Sequence, residues 1–303
     1  MAIYRLEKDK LTPIGEVKID LEKDLQKITE DNLAVLFGLA FISSEFSLQK
    51  FRIDTLAFDE ESQSFVIIEY KRDRSFSVVD QGFSYLALLL NNKDSFILEL
   101  AKKLKRDVNN IHIDWSQSRV LFLANLFTVY QQNAINFKDL PIELWEVKKF
   151  NNETILYNQL KASNNSESIN TISKNETIKE VSKEVHVYTE EEHFSGKPEE
   201  IKALYEEIRS RLLSLDNAIS LKPTKIYIGF KAKKNFISIE FQRSQLKIWL
   251  NLSMGILDDP KNITIDVSNK GHHGNGDYEI NLKPGDDVDY FMLLAKQAYQ
   301  KNS

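Results

Sequence analysis

The sequence contains no cysteine. That excludes disulfide frameworks and thiolate-ligated zinc, and it fits a reducing compartment. It also lacks an apolar run of about 18 residues, the length that crosses a bilayer. The N-terminal MAIYRLEKDK has no apolar signal-peptide core. The expectation from both is a cytoplasmic chain with no membrane span. No G-x-x-x-x-G-K loop is present, so a P-loop nucleotide cradle is excluded, and a small-molecule or transport role ranks last. An excess of positive charge is missing too, since the formal net charge is −5. Phosphate affinity comes largely from Lys and Arg, so the global balance weighs mildly against nucleic acid. Local patches decide contact, and the net charge does not.

With 303 residues, 42% hydrophobic and 28% charged, the chain can bury a sizeable core and has the length of two domains. Composition shifts at 151–184, which is rich in Asn, Ser, Lys and Glu and reads as a polar linker between a 1–150 domain and a 185–303 domain.

The most informative stretch is FRIDTLAFDEESQSFVIIEYK, Phe51 to Lys71. Two runs of apolar, aromatic and β-branched residues flank a polar break, which predicts an antiparallel hairpin. A turn centred between Glu61 and Ser62 sets Phe58 opposite Phe65, Leu56 opposite Ile67, Asp54 opposite Glu69 and Arg52 opposite Lys71. Directly opposed side chains share a face with Cβ atoms about 5 Å apart. Alternation adds Lys71 to the Asp54–Glu69 face. Two adjacent carboxylates repel unless a cation sits between them or one takes a proton. Mg²⁺ is held by one or two carboxylates and phosphate oxygens, so a divalent cation suits the pair. The ordinary alternative is an edge hairpin with a solvated face that carries Asp, Glu and Lys.

Asp54 followed by Glu69-Tyr70-Lys71 resembles the PD-(D/E)XK nuclease signature in its D-x(n)-E-x-K form. Gln81-x-x-x-Tyr85 resembles the extra motif of RecB-like members, and on a helix these two residues share a face. Glu22 stands where NucS-like members carry a first-helix glutamate, with Glu30 as its competitor. Ile53 occupies the position of the proline in the family name. The resemblance spans roughly Leu21 to Phe150. It implies a restriction-endonuclease-like α/β fold with a mixed central sheet flanked by helices, and a Mg²⁺- or Mn²⁺-dependent nuclease acting on DNA or RNA in repair or defence. It further implies metal ligation by Asp54, Glu69 and Glu22, water activation by Lys71, and positioning by Gln81 and Tyr85. A catalytically inactive nuclease-fold module for nucleic-acid or protein binding is the rival reading.

Around the hairpin, residues 1–20 read as a lead-in with a turn at Thr12–Gly15. Apolar spacing predicts a helix from Glu22 to Phe37, and Leu39–Phe46 reads as an irregular strand. Arg72–Ser75 reads as a loop. Helices are expected at Val78–Leu90, Ser95–Arg106 and Phe127–Phe137, and strands at Val120–Ala124 and Pro141–Phe150. The second unit reads as α+β, with helices at Pro198–Leu215 and Asp286–Gln300. Between them lies an antiparallel meander of Lys225–Lys231, Asn235–Gln242 and Gln245–Leu252, followed by strands at Ile263–Val267 and Tyr278–Leu282. From Lys225 to Trp249 six Lys/Arg face one acid, interleaved with Tyr227, Phe230, Phe236, Phe241 and Trp249. Such a stretch is either a nucleic-acid platform, with Lys231, Lys233, Lys234 and Arg243 on phosphates, or an amphipathic sheet backed by a helix. This domain resembles an uncharacterised domain associated with nuclease modules, which suggests substrate or partner recognition. His272 and His273 in a Gly-rich turn do not make a metal site by themselves. Oligomeric state is left open, a homodimer included.

Overall fold

The computed structural model describes residues 2–19, 22–71, 77–137, 139–161 and 175–303. The chain divides into two compact units, Met1–Val187 and Tyr188–Ser303.

Unit 1 opens with a hairpin, β1 (Ile3–Glu7) and β2 (Lys10–Ile14), turned by Lys8 and Asp9 at φ of 45° and 65°. The expected turn at Thr12–Gly15 is therefore strand up to Ile14. After β3 (Glu16–Val17) come α1 (Glu22–Asp31) and the single turn α2 (Leu33–Leu36). The one helix expected over this stretch breaks at Asn32, which has a φ of −127° and whose amide bonds the Ile28 carbonyl. Asn favours such local bonds over helix continuation. Leu21, its expected first apolar position, lies outside the described residues.

The central sheet is built from β4 (Ala40–Leu48), β5 (Phe51–Asp59), β6 (Ser64–Lys71), β7 (Arg119–Ala124), β8 (Ile142–Phe150) and β9 (Ile155–Leu160). Its order is β3-β8-β7-β6-β5-β4, with β9 also on β8. The β6–β7 and β7–β8 pairs are parallel and the rest antiparallel, so the sheet is mixed. β6 lies in its middle, and every residue of it but Lys71 is buried. A strand covered on both faces reads as a continuous apolar run for that reason.

Alternation along the strands feeds two cores. Leu56, Phe58, Phe65 and Ile67 point to α3 (Val78–Asn91) and α4 (Lys93–Leu104). Ala57, Val66, Ile68 and Tyr70 point the other way, toward α1 and α2. α5 (Val129–Ala134) is shorter than the expected Phe127–Phe137, because Thr128 and Gln131 cap it reciprocally. The expected loop Arg72–Ser75 lies outside the described residues.

The stretch 151–184 does more than connect. β9 pairs antiparallel with β8, and α6 (Glu176–Glu184) buries Ile178 and Val181 in the core on the α3 side. An apolar stripe of two residues per helix is enough to dock it, and a polar average conceals that stripe. Residues 162–174 lie outside the described residues.

Unit 2 contains α7 (Glu190–Phe194), α8 (Glu199–Leu213), six strands and α9 (Val288–Asn302). The strands are β10 (Ser220–Pro223), β11 (Ile228–Lys231), β12 (Asn235–Phe241), β13 (Leu246–Leu250), β14 (Ile265–Asp266) and β15 (Tyr278–Leu282). They form one antiparallel sheet in the order β10-β11-β12-β13-β15-β14, and the expected meander is its β11-β12-β13 centre. Ile237, Ile239, Ile248 and Leu250 share a core with α8 and α9. Among the described residues no helix is long and apolar enough to cross a membrane.

Candidate functional site

The β5–β6 hairpin has the register read from the sequence: Phe58 pairs with Phe65, Leu56 with Ile67, and Thr55 with Ile68. The ladder then stops. Beyond Thr55, β5 is held by β4, with Ile53 on Phe46 and Arg52 on Ser47. Beyond Ile68, β6 is held by β7, with Glu69 on Phe122 and Lys71 on Ala124. The two strands part at Asp54 and Glu69, and Arg52 is drawn to Glu45 of β4 (2.6 Å) rather than paired with Lys71.

In the fork each carboxylate takes the place of a missing ladder bond. The Asp54 N–H donates to Glu69 Oε1 (3.2 Å), and the Tyr70 N–H donates to Asp54 Oδ2 (3.1 Å). This reciprocal capping draws the two acids together. Lys71 Nζ lies 3.2 Å from Glu69 Oε2, with 14% of its side chain exposed against 3% for Glu69.

α3 closes the site from the face on which these side chains stand. Ser77 caps the helix through the Asp80 N–H, and Gly82 lets it settle onto the sheet. A Cβ at Gly82 would lie 2.4 Å from Ile142 Cδ1. The close approach brings Tyr85 to Glu69, with its hydroxyl also 3.4 Å from the Arg52 carbonyl. Gln81 Nε2 donates to Tyr85 (3.3 Å), while Gln81 Oε1 is buried with no hydrogen-bond partner.

Burial, then the Asp54 charge, push the Glu69 carboxyl up to about 7, against the pull of Lys71. Asp54 is raised as well, chiefly by burial. Tyr85 is raised by burial and by the neighbouring Glu69 charge. These are the directions expected of two desolvated like charges.

Five of the sequence-predicted residues thus meet: Asp54, Glu69, Lys71, Gln81 and Tyr85. Glu22 does not join them. It is exposed at the first turn of α1, a helix that packs on the opposite face of the sheet. Among the described residues no group of three His, Cys, Asp or Glu side chains is arranged to hold a metal ion. Glu30, the competitor, accepts from Thr55 Oγ1 (2.6 Å) and Gln26 Nε2 (3.0 Å).

That back-face network was missed by sequence reasoning. Gln26 Nε2 donates to the Asp54 carbonyl (2.9 Å), which braces the strand behind the carboxylate. Tyr70 contacts Thr55, and Thr29 contacts Tyr157 of β9. The available signal was a run of polar residues, Gln26, Thr29 and Glu30, on one stripe of a helix. Glu45 was missed too. It stands level with Asp54 on β4, between the pairs Ser44–Thr55 and Phe46–Ile53, and its charge helps raise Asp54.

In unit 2 the five aromatics of the basic stretch are sealed: Tyr227, Phe230, Phe236, Phe241 and Trp249 are each at most 6% exposed. They are core, and no stacking platform exists in that form. Lys231, Lys233 and Lys234 lie at the β11–β12 turn and Arg243 at the β12–β13 turn, on opposite ends of β12. Seven residues of strand separate the two groups by roughly 20 Å. His272 stacks on Trp249 with ring centroids 6.4 Å apart.

The chain has limited similarity to a repair endonuclease from Pyrococcus abyssi, at 14% identity and a TM-score of 0.22 over 39% of this chain and 44% of that one. An EndoMS–dsDNA2 complex gives 14% identity and a TM-score of 0.21, over 42% and 58%. Pyrococcus furiosus SfsA in complex with Ca²⁺ gives 14% identity and 0.24, over 46% and 63%. The match spans less than two thirds of each of those structures, and scores this low carry no argument about activity. Residues 190–302 match the family described as Domain of unknown function (DUF5655). An uncharacterised protein of Haemophilus influenzae is 48% identical over 300 residues, 98% of this chain and 99% of that protein. The chain belongs to the same family as that Haemophilus influenzae protein.

Proposed function

We propose that unit 1 is a metal-dependent nuclease that hydrolyses phosphodiester bonds, with DNA as its substrate. The observation that carries this reading is the fork, where two buried carboxylates are pressed together with an ammonium beside them. A fold does not gain stability by desolvating two adjacent acids. The arrangement makes sense if a cation completes it.

The donor set fits Mg²⁺ or Mn²⁺. Two carboxylates and the partnerless amide oxygen of Gln81 are hard oxygen donors, and Mg²⁺ commonly keeps several waters besides one or two carboxylates. Asp54 and Glu69 would hold the ion. When bound, such an ion acts as a Lewis acid and lowers the pKa of coordinated water. Lys71 orients the attacking water or neutralises charge on the phosphoryl group in the transition state. Tyr85 fixes the Glu69 carboxylate, and Gln81 fixes Tyr85, so that both strands of the fork are referenced to α3. Gln26 restrains the Asp54 backbone from the opposite face.

The rival reading is an inactive module that binds nucleic acid or protein. It is favoured by the absence, among the described residues, of a third acid in ligand position. RNA as substrate is a variant of the first reading. Purified protein with Mg²⁺ or Mn²⁺ is tested on single-stranded, duplex and branched DNA and on RNA. The nuclease reading expects cleavage that disappears in Asp54→Ala and Lys71→Ala. Cleavage equal in wild type and variants, or none on any substrate, leaves the binding module.

A further inference from the structure

The sheet that carries the fork has a gap in it two strands away. β7 pairs with β8 from Ile142 to Glu146. β9 pairs with Leu144 to Lys149, so it occupies the other edge. β3 pairs with Lys149 and Phe150 and therefore takes the β7 edge again, further along. Val147 and Lys148 fall between the two partners, and neither ladder covers them on that edge. On that edge the register gives the Val147 N–H to the Ala124 carbonyl and turns the Lys148 main chain toward β9, so the Val147 carbonyl is the main-chain group that faces the gap.

The gap is a cavity of about 230 Å³ lined by Lys18, Asn125, Lys148 and Lys149, with Glu16 as the one acid among its lining residues. Lys18 and Lys149 are exposed, and Lys148 is half-buried. Lys148 makes a loose ion pair with Glu16 at 3.7 Å, a contact of little net worth between partly exposed groups. The ammonium groups of Lys18 and Lys148 and the Asn125 side-chain amide are donors suited to phosphate oxygens, with Lys149 leaving the same strand edge on the opposite face.

Its position relates it to the fork. Lys71, Ala124 and Glu146 lie in one register row across β6, β7 and β8. Lys148 is two residues beyond Glu146, so its side chain leaves the sheet on the face of Glu69 and Lys71. Glu146, the acid in between, accepts from the Phe127 N–H (3.4 Å). Strands are about 4.8 Å apart, which puts the notch roughly 10 Å from the β6 side chains. A nucleic-acid strand rises about 3.4 Å per charge, so the distance equals about three nucleotides.

We propose that this notch is a phosphate subsite, which grips the backbone of a nucleic-acid strand about three nucleotides from the Asp54–Glu69 pair. The assignment rests on the nuclease reading of that pair and adds the direction in which the strand leaves it. It uses the local charge, which is positive here although the whole chain is acidic.

The test uses the full chain and fluorescein-labelled single-stranded and duplex oligodeoxynucleotides. Binding is followed by anisotropy across a salt series, in EDTA and in Ca²⁺. Combined replacement Lys18→Ala, Lys148→Ala and Lys149→Ala should weaken binding about tenfold, and lower the slope of log affinity against log salt by about 0.7 per lysine engaged on a single strand. Lys296→Ala, an exposed lysine of α9, should change neither quantity. Unchanged thermal melting and circular dichroism show that the triple variant is folded. A triple variant that binds as wild type does, or a wild type that binds neither probe, overturns the proposal. Wild-type binding that the triple variant weakens, without metal-dependent cleavage by either, retains the notch and rejects the catalytic reading. Normal cleavage by the triple variant with an unchanged KM rejects the notch alone.

Discussion

The two units put charge and aromatic rings on β-sheets in opposite ways. In unit 1 the regular ladder ends at Thr55–Ile68, and the charged groups stand where the strands part. In unit 2 the β12–β13–β15 ladders are continuous: Ser238 pairs with Trp249, and Trp249 with Glu279. There the large rings fill the interior, and a charge such as Lys247 finds Glu279 at 3.4 Å on the neighbouring strand. Both stretches interleave aromatics with charge, but the first is rich in acids and the second in lysine and arginine. A broken ladder concentrates unmet polar demand at one point, whereas an intact one disperses it into ordinary pairs. At the fork, burial and then the Asp54 charge lift the Glu69 carboxyl to about 7.

Substitutions that attack this contrast differ in size. On the proposed nuclease reading, Asp54→Ala and Glu69→Ala should each lower cleavage by at least about a thousandfold, the loss of several kcal/mol that a cation held by the pair would supply. Gel assays of initial rate check this, and rates within tenfold of wild type would show that the fork is not the reacting centre. Trp249→Ala should act on stability instead, costing about 3–5 kcal/mol of unit 2 as a large core ring is lost. Urea unfolding followed by a unit 2 probe measures it, and a loss below about 1 kcal/mol would mean that the ring is not core. Gly82→Val should cost about 1–3 kcal/mol, because α3 must lift from Ile142. It should also slow cleavage, as Tyr85 recedes from Glu69. Full activity in this variant would separate α3 from the site. Lys247→Ala should cost no more than about 1 kcal/mol, the worth of a partly exposed ion pair. A greater loss would mean that unit 2 also concentrates charge.

The fork makes a further prediction with a definite sign. The folded-state pKa of Glu69 lies above its ordinary 4.5. Between about 4.5 and 7 the folded protein therefore keeps a proton that the unfolded chain has released. Metal-free stability from this group falls as pH rises through that window. Asp54, raised as well, adds to the same slope. Thermal melts in EDTA from pH 5 to pH 7.5 should show the fall in wild type and a flatter profile in Glu69→Gln. A wild-type profile as flat as that of the variant would contradict the raised carboxyl.

Much of unit 1 was legible in the sequence because its signals are local. The apolar runs on either side of DEESQS and the polar break between them fix the hairpin register as far as Thr55–Ile68, which brings Asp54 and Glu69 to the same end of the hairpin and the same face. The fork was not legible, since it arises from the competing pull of β4 on Ile53 and of β7 on Glu69, two partners distant in sequence. Glu22 looked equivalent to a site residue because helical position says nothing about which face of the sheet a helix covers. α6 went unseen because Ile178 and Val181 are few among polar neighbours, and burial of a narrow stripe needs a partner the sequence does not display. In unit 2 the aromatics were countable, but their sealing beneath helices and a Gly-rich turn is a tertiary fact. Gly274 sits so close that a Cβ there would lie 2.5 Å from the Trp249 ring.

The most direct measurement is calorimetric titration of the full chain with Mn²⁺ at pH 7, in buffers of differing ionisation enthalpy. Wild type should bind and release protons, because the ion displaces those held on the Asp54–Glu69 pair, and Asp54→Ala and Glu69→Gln should lose the heat. Binding with the same heat in those variants, or no binding by the wild type, would contradict a cation site between the two carboxylates.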